Sequence, residues 1–276
     1  MQNSCEELKA FTRDSGTVPL KLAERVVGRA GRVAQIVPEA RPFAGALWTA
    51  LTAAKKANDS GPKEAPPGKA AVRRFTVASR WMTLLLRQDP EAPFILRREV
   101  LARGPKPASR SSWTIEFDAS IYGGGAVLKH GDTLHEFFIK EWCNEDVAHL
   151  KVWRDDPAHQ TFWEYLMVLM SLIRWGHQFV HEEVAILGDN TGALQNAVSL
   201  KGKGELMAIA REISWRQARE KWAFSVGHLP SEHNVVADSL SRRYDPDPLP
   251  LPTCLRNATQ VSAPSVRLLW KLRKAI

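Results

Sequence analysis

The chain of 276 residues is 44% hydrophobic and 25% charged, which excludes a wholly disordered or fibrous protein and leaves room for one large domain or two small ones. Its net charge of +8 is unevenly placed: residues 1–110 carry +10, residues 111–245 carry −6 and residues 246–276 carry +4. A basic arm ahead of an acidic domain suits a polyanion held beside a site that concentrates carboxylates, although solvated helix faces would give the same counts.

The longest apolar run, 165–173, is broken by Ser171 and is too short to span a membrane. The opening residues lack an apolar stretch, so secretion is not expected and the expected location is intracellular, cytoplasmic or nuclear. Cys5, Cys143 and Cys254 lie far apart in no zinc-binding spacing, which suits a reducing compartment.

Taken in chain order, residues 18–37 place apolar side chains three and four apart among Lys21, Arg25, Arg29 and Arg32, the pattern of a helix that Pro38 ends and that resumes to about 54. Residues 55–70 are polar and rich in Pro and Gly, a linker. A third helical stretch lies within 71–103, and 104–112 form a second joint. From Trp113 the period changes to two: strands are expected at 113–117, after the glycines 123–125, and at 134–142, the last two joined by a hairpin at 130–132. A long helix follows at 158–176, then a short apolar strand at 184–187 with Asn190 or Thr191 placed to cap the next helix. A helix ending near 220, a strand at 222–226 and a helix from 231 to 243 complete the pattern. These residues predict an α/β domain over 113–243 with a five-stranded mixed sheet, a small helical region at 1–54 and 71–103, and a C-terminal tail at 244–276.

Four carboxylates stand out by position. Asp118 ends the first strand, where it either starts a turn or faces a ligand; Glu116 shares its strand face and is a rival. Between Phe162 and Ile173 only Glu164 and Ser171 are polar, and a buried lone carboxylate needs a metal, a cation or a proton. A salt bridge would serve structurally. Asp189 ends a buried-looking strand at the carboxyl edge of the sheet, where ligands bind, or else caps the helix after it. Asp238 lies in the last helix, whose Val235, Ala237 and Leu240 pack one side down; alone it would be a surface acid.

Together, FDAS (117–120), the glutamate in the next apolar helix, GDNTGAL (188–194) and HLPSEHNVVADSLSR (228–242) resemble ribonuclease H, in the form tethered behind retrotransposon reverse transcriptases. The segments GRAGRVAQIVPEARPF (28–43) and RRFTVASRWMTLLL (73–86) resemble, more loosely, the thumb and connection of such polymerases. The resemblance implies an RNase H-like fold and a metal-dependent endoribonuclease that hydrolyses the RNA strand of RNA–DNA hybrids. It implies two Mg²⁺ ions, with Mn²⁺ possible, on Asp118, Glu164, Asp189 and Asp238, about 3.5–4 Å apart and suited to in-line phosphodiester hydrolysis. By the same pattern Asp118 bridges the ions, and His228 assists with protons or product release, a job suited to imidazole. Gln160 and Asn190 become minor-groove contacts, Lys201 and Lys203 phosphate contacts, and Gly123–Gly125 a place where backbone approaches the sugar. The partners implied are nucleic acid and an upstream polymerase portion of a polyprotein, with no membrane.

Other patterns carry less. His177 and His181 lack the glutamate of a zinc protease, and Asp155-Asp156 sits in a loop sequence without a polymerase hairpin, so polymerase activity is not expected. Two rival readings remain: a catalytically inactive nucleic-acid-binding remnant, and a transposase or integrase core, which would want its last acid deeper in a helix.

Overall fold

A computed structural model describes residues 7–60, 64–86, 113–153, 156–179, 183–220 and 222–269. They fall into two compact units, one within Met1–Glu99 and the other within Val100–Lys271. The expected joint at 104–112, residues 87–103 of the third helical stretch, Asp155 and His181 lie outside the described residues.

In the first unit, β1 (Thr17–Pro19) leads into α1 (Leu20–Ile36), which buries Ala23, Val26, Val27, Ala30 and Ala34 along one stripe. Val37, held extended ahead of Pro38, ends the helix. A short turn at Pro38–Ala40 passes the chain into α2 (Arg41–Asp59), with a proline in its first turn, where no amide donor is needed. Asn58 then closes the return: its amide donates to the Lys69 carbonyl (2.8 Å) and its oxygen accepts from Gly68 N (2.9 Å). This brings β2 (Lys69–Ala71) antiparallel to β1, and α3 (Thr76–Leu86) completes the unit. The stretch expected as a linker thus contributes a helix end and a strand.

The second unit is a mixed α/β layer structure. Its elements are β3 (Trp113–Ala119), β4 (Gly123–His130), β5 (Thr133–Glu141), α4 (Asn144–Leu150), α5 (Gln160–Trp175), β6 (Val184–Gly188), α6 (Thr191–Ser199), α7 (Leu206–Glu220), β7 (Phe224–His228), α8 (Val235–Ser241) and β8 (Thr259–Gln260). The sheet order is β7-β6-β3-β4-β5-β8, with β3, β4 and β5 an antiparallel meander and β6 and β7 parallel to β3. The sheet has six strands, not the expected five. The sixth is two residues of the proline-rich C-terminal stretch, parallel to β5 at Glu136 and Phe137, and two residues are too few to show a period of two. The short helix α4 is a further addition, and α8 begins at Val235 rather than at Ser231.

Helix α5 is buried almost all round, and its apolar side chains form the main core with Ile115, Phe117, Phe138 and residues of α6 and α7. The opposite sheet face carries a smaller cluster in which Leu240 of α8 meets Val127, Phe137 and Leu255. The strand end at Asp118 therefore lies between two helix layers. No helix among the described residues is long and apolar enough to cross a membrane.

Candidate metal centre

Strand β3 delivers Asp118 to its carboxyl end, and the parallel strand β6 ends one residue before Asp189. Glu164 comes up from the second turn of α5. One carboxylate oxygen from each of these three residues lies within 4.8 Å of the other two. Three side chains separated by up to 71 positions in the sequence meet because parallel strands end on the same edge.

Each acid is met by a neutral donor. The Ser241 hydroxyl donates to Asp118 Oδ2, the Gln160 amide to Glu164 Oε1 (3.2 Å) and the Ser231 hydroxyl to Asp189 Oδ2 (2.8 Å). Burial pushes the Asp118 carboxyl up to about 7; the Ser241 hydrogen bond pulls the other way, and Asp189 and Asp238 add to the rise. Glu164 is pushed well above the ordinary carboxylate range, first by burial and then by Asp118 and Asp189. Its second oxygen, Oε2, is buried with no hydrogen-bond partner among the described residues. These acids crowd one another; no cation among the described residues forms an ion pair with them, but the charge of Arg242 reaches Asp118 and pulls its value back down.

Asp238 is placed differently. It is close enough to repel Asp118, but its Oδ1 accepts from Arg242 Nε at 2.6 Å, one helical turn on. Three of the four expected acids thus form the cluster, and the fourth stands beside it with a cation attached. The rival Glu116 is spent: its Oε1 pairs with Lys129 Nζ at 2.6 Å.

The other expected site residues divide. His228 is exposed at the end of β7, in register with Gly188, the neighbour of Asp189. Gln160 donates to the Ala119 carbonyl (2.5 Å) as well as to Glu164, so its amide faces the strand end. Asn190 caps α6, accepting from Ala193 N at 3.0 Å. Lys201 and Lys203 are exposed between α6 and α7, and no hydrogen bond or ion pair joins them to the acids among the described residues. Gly123–Gly125 are filled from inside rather than open to a ligand. A Cβ on Gly125 would strike Leu240, one on Gly124 the Met167 thioether, and one on Gly123 the Lys140 carbonyl at 2.7 Å. The glycines let α8 and α5 close onto β4.

Sequence reasoning missed the groups that fix the strand end. Asn234, 1% exposed, donates to the Phe117 carbonyl at 3.0 Å. The Trp142 indole donates to the Ser120 carbonyl at 3.1 Å, and the Ser120 hydroxyl has two acceptors in reach, Asp245 Oδ1 at 3.0 Å and the Ser241 carbonyl at 3.1 Å. The spacing of Asn234, Ser241 and Arg242 about Asp238, four back and three and four on, was the available signal for shared helix faces.

No protein-family model matches the chain, and no curated protein matches it. Among solved structures, ribonuclease H1 from the halophilic archaeon Halobacterium salinarum is similar over 48% of this chain and 96% of its own, with 16% identity and a TM-score of 0.33.

Proposed function

We propose that the second unit is a divalent-metal-dependent nuclease of the ribonuclease H type that hydrolyses the RNA strand of RNA–DNA hybrids, and that the whole chain is the thumb, connection and nuclease part of a retrotransposon reverse transcriptase. The observation that carries the reading is the trio Asp118, Glu164 and Asp189, gathered within 4.8 Å and hydrogen-bonded, among the described residues, by neutral donors. The trio fits a hard divalent cation: its donors are all carboxylate oxygens, and Glu164 Oε2 is a buried acceptor without a hydrogen-bond partner among the described residues. Asp118, Glu164, Asp189 and Asp238 would hold Mg²⁺ or Mn²⁺. When bound, such ions supply an activated water and Lewis-acid stabilisation of the leaving oxygen.

The chain's own residues supply the rest. Ser241, Gln160 and Ser231 aim the three carboxylates without neutralising them. The buried floor under Asp118 and Glu164 shuts water out on the core side. His228, exposed at the end of β7 beside the strand that leads to Asp189, would be the side chain placed to meet substrate or solvent there.

The inactive, nucleic-acid-binding reading is favoured by one observation, the occupation of Asp238 by Arg242. A cleavage assay separates the two. The purified chain with end-labelled RNA–DNA hybrid and Mg²⁺ should shorten the RNA strand, leave the DNA strand whole, and stop in EDTA. Salt-sensitive binding of the hybrid without metal-dependent cleavage would defeat the nuclease reading in favour of the remnant.

A further inference from the structure

We infer that Ser241 is a positioning residue that orients the Asp118 carboxylate for cation binding, an inference that rests on the metal-centre reading above. Ser241 is fully buried, and its hydroxyl has two acceptors, Asp118 Oδ2 and the Asp238 carbonyl at 2.9 Å. A hydroxyl has one proton. A serine near a helix end ordinarily spends it on the carbonyl three or four residues back, and that carbonyl is in reach here. An ionised carboxylate is the stronger acceptor, so the proton goes to Asp118. One lone pair of Oδ2 is then taken, and Oδ1 with the remaining Oδ2 lone pair is left to face cations.

The placement is built into the fold from several sides. Asp118 pairs in register with Gly125, and the missing side chain there lets Leu240 and the backbone of Ser241 come down onto the strand. The Ser241 carbonyl lies 3.1 Å from Ser120 Oγ, which also has Asp245 Oδ1 at 3.0 Å, so both ends of Ser241 lie against the chain leaving β3. The helix that brings Asp238 to the site therefore also brings the group that aims Asp118, three positions later, and the two ligands are set in one step.

Ser239 is the internal control. It lies on the same helix and is 3% exposed, and its hydroxyl donates to the Val236 carbonyl at 2.7 Å, with no bond to an acid side chain among the described residues. Mn²⁺ binding to the full chain, followed by the loss of the free-ion EPR signal, requires no turnover and reads the centre directly. S241A should weaken Mn²⁺ binding about 10–100-fold, the usual cost of removing a group that orients a metal-binding side chain. S239A should leave binding within about threefold, since it removes a buried helix hydroxyl of the same kind. In a D118N background, S241A should add little, because the carboxylate it acts through is gone.

Wild-type Mn²⁺ binding with S241A equal to it, or with S239A equally impaired, would overturn the role of Ser241 and leave the metal centre standing. Absence of Mn²⁺ binding by the wild type would bring down the centre and this inference with it. Circular dichroism checks folding. If S241A does not fold, S241C, close in size but a weak donor, is judged on the same tenfold threshold.

Discussion

Carboxylates in the helical unit and at the sheet edge of the α/β unit have partners of different chemistry. In the helical unit Glu7 meets Arg29 at 2.5 Å and Arg25 at 3.2 Å, Glu24 meets Lys55 at 2.6 Å, and Glu64 meets Arg74 at 2.8 Å. At the sheet edge Asp118, Glu164 and Asp189 meet a hydroxyl, an amide and a hydroxyl. The consequence is opposite in sign. The guanidinium of Arg74 holds Glu64 below the ordinary carboxylate range, whereas burial pushes Asp118 up to about 7. A cationic partner completes a carboxylate; a neutral donor aims it and leaves its charge available. The difference marks out a site without reference to acidity, since both regions are rich in acids.

The sharpest break of this comparison uses two acids on one strand face. Glu116 and Asp118 stand two residues apart on β3, the first paired with Lys129 and the second not paired with a cation. D118N should lower hybrid cleavage on the order of a thousandfold, while E116Q should change it by less than about threefold. Equal losses would mean that the partner's chemistry does not decide which acid works. A somewhat smaller effect is expected where a mostly buried acid does have its cation. Asp146 is paired with Lys140, with side chains 7% and 17% exposed, and K140M should cost about 3 kcal/mol in chemical denaturation because a charge is left stranded. Mn²⁺ binding should not change.

Much of this arrangement was legible in the sequence. The switch from helical to alternating spacing at Trp113, the nearly unbroken apolar surface around Glu164 and the acid at the end of 184–188 each have a local signature, and all three led to the right elements. A cap at Asn190 or Thr191 was expected, and Asn190 takes that place. What was hidden depends on contacts between distant segments. Nothing local says that Glu116 has a lysine across the sheet, whereas Arg242, four positions after Asp238 on one helix, was a local signal that went unread. The tri-glycine read as an open approach because a missing side chain looks the same whether a ligand or Leu240 fills the space. The strand at Thr259–Gln260 is defined by its neighbour β5 rather than by its own two residues.

Removing metal should expose the cost of the uncompensated cluster. A carboxyl whose value is raised on folding binds its proton more tightly in the native state, so the native state holds more protons than the unfolded chain between the two values. Stability is then fully present below the ordinary Asp value of 3.8 and is lost as pH rises through about 7, where Asp118 must ionise inside the fold; Glu164 acts in the same direction. In EDTA the α/β unit should be less stable at pH 8 than at pH 5 by about 2 kcal/mol, several degrees in Tm. Millimolar Mg²⁺ should restore most of the difference at pH 8, where the ionised cluster binds it best. A Tm in EDTA that rises from pH 5 to pH 8 would contradict the buried, unneutralised state of these acids.

The smallest effect is expected where a cationic partner exists but water already does its work. Arg80 Nη2 meets Asp14 Oδ1 at 2.7 Å, a distance as short as most ion pairs among the described residues, yet the Asp14 side chain is 85% exposed. Its charge is solvated before and after the pair forms, and salt screens what attraction remains. Arg80 also donates from Nε to the Thr12 carbonyl at 3.0 Å, so the guanidinium keeps a protein acceptor when the aspartate is removed. D14N should therefore cost no more than about 0.5 kcal/mol at physiological salt, and less at 1 M, measured by urea denaturation. Set beside K140M, this tests whether solvent access, and not the presence of an ion pair, decides what a paired carboxylate is worth. A cost for D14N as large as that for K140M would show that distance alone governs, and the neutral donors around Asp118 would then have to be understood as weak partners rather than as a means of keeping charge in reserve.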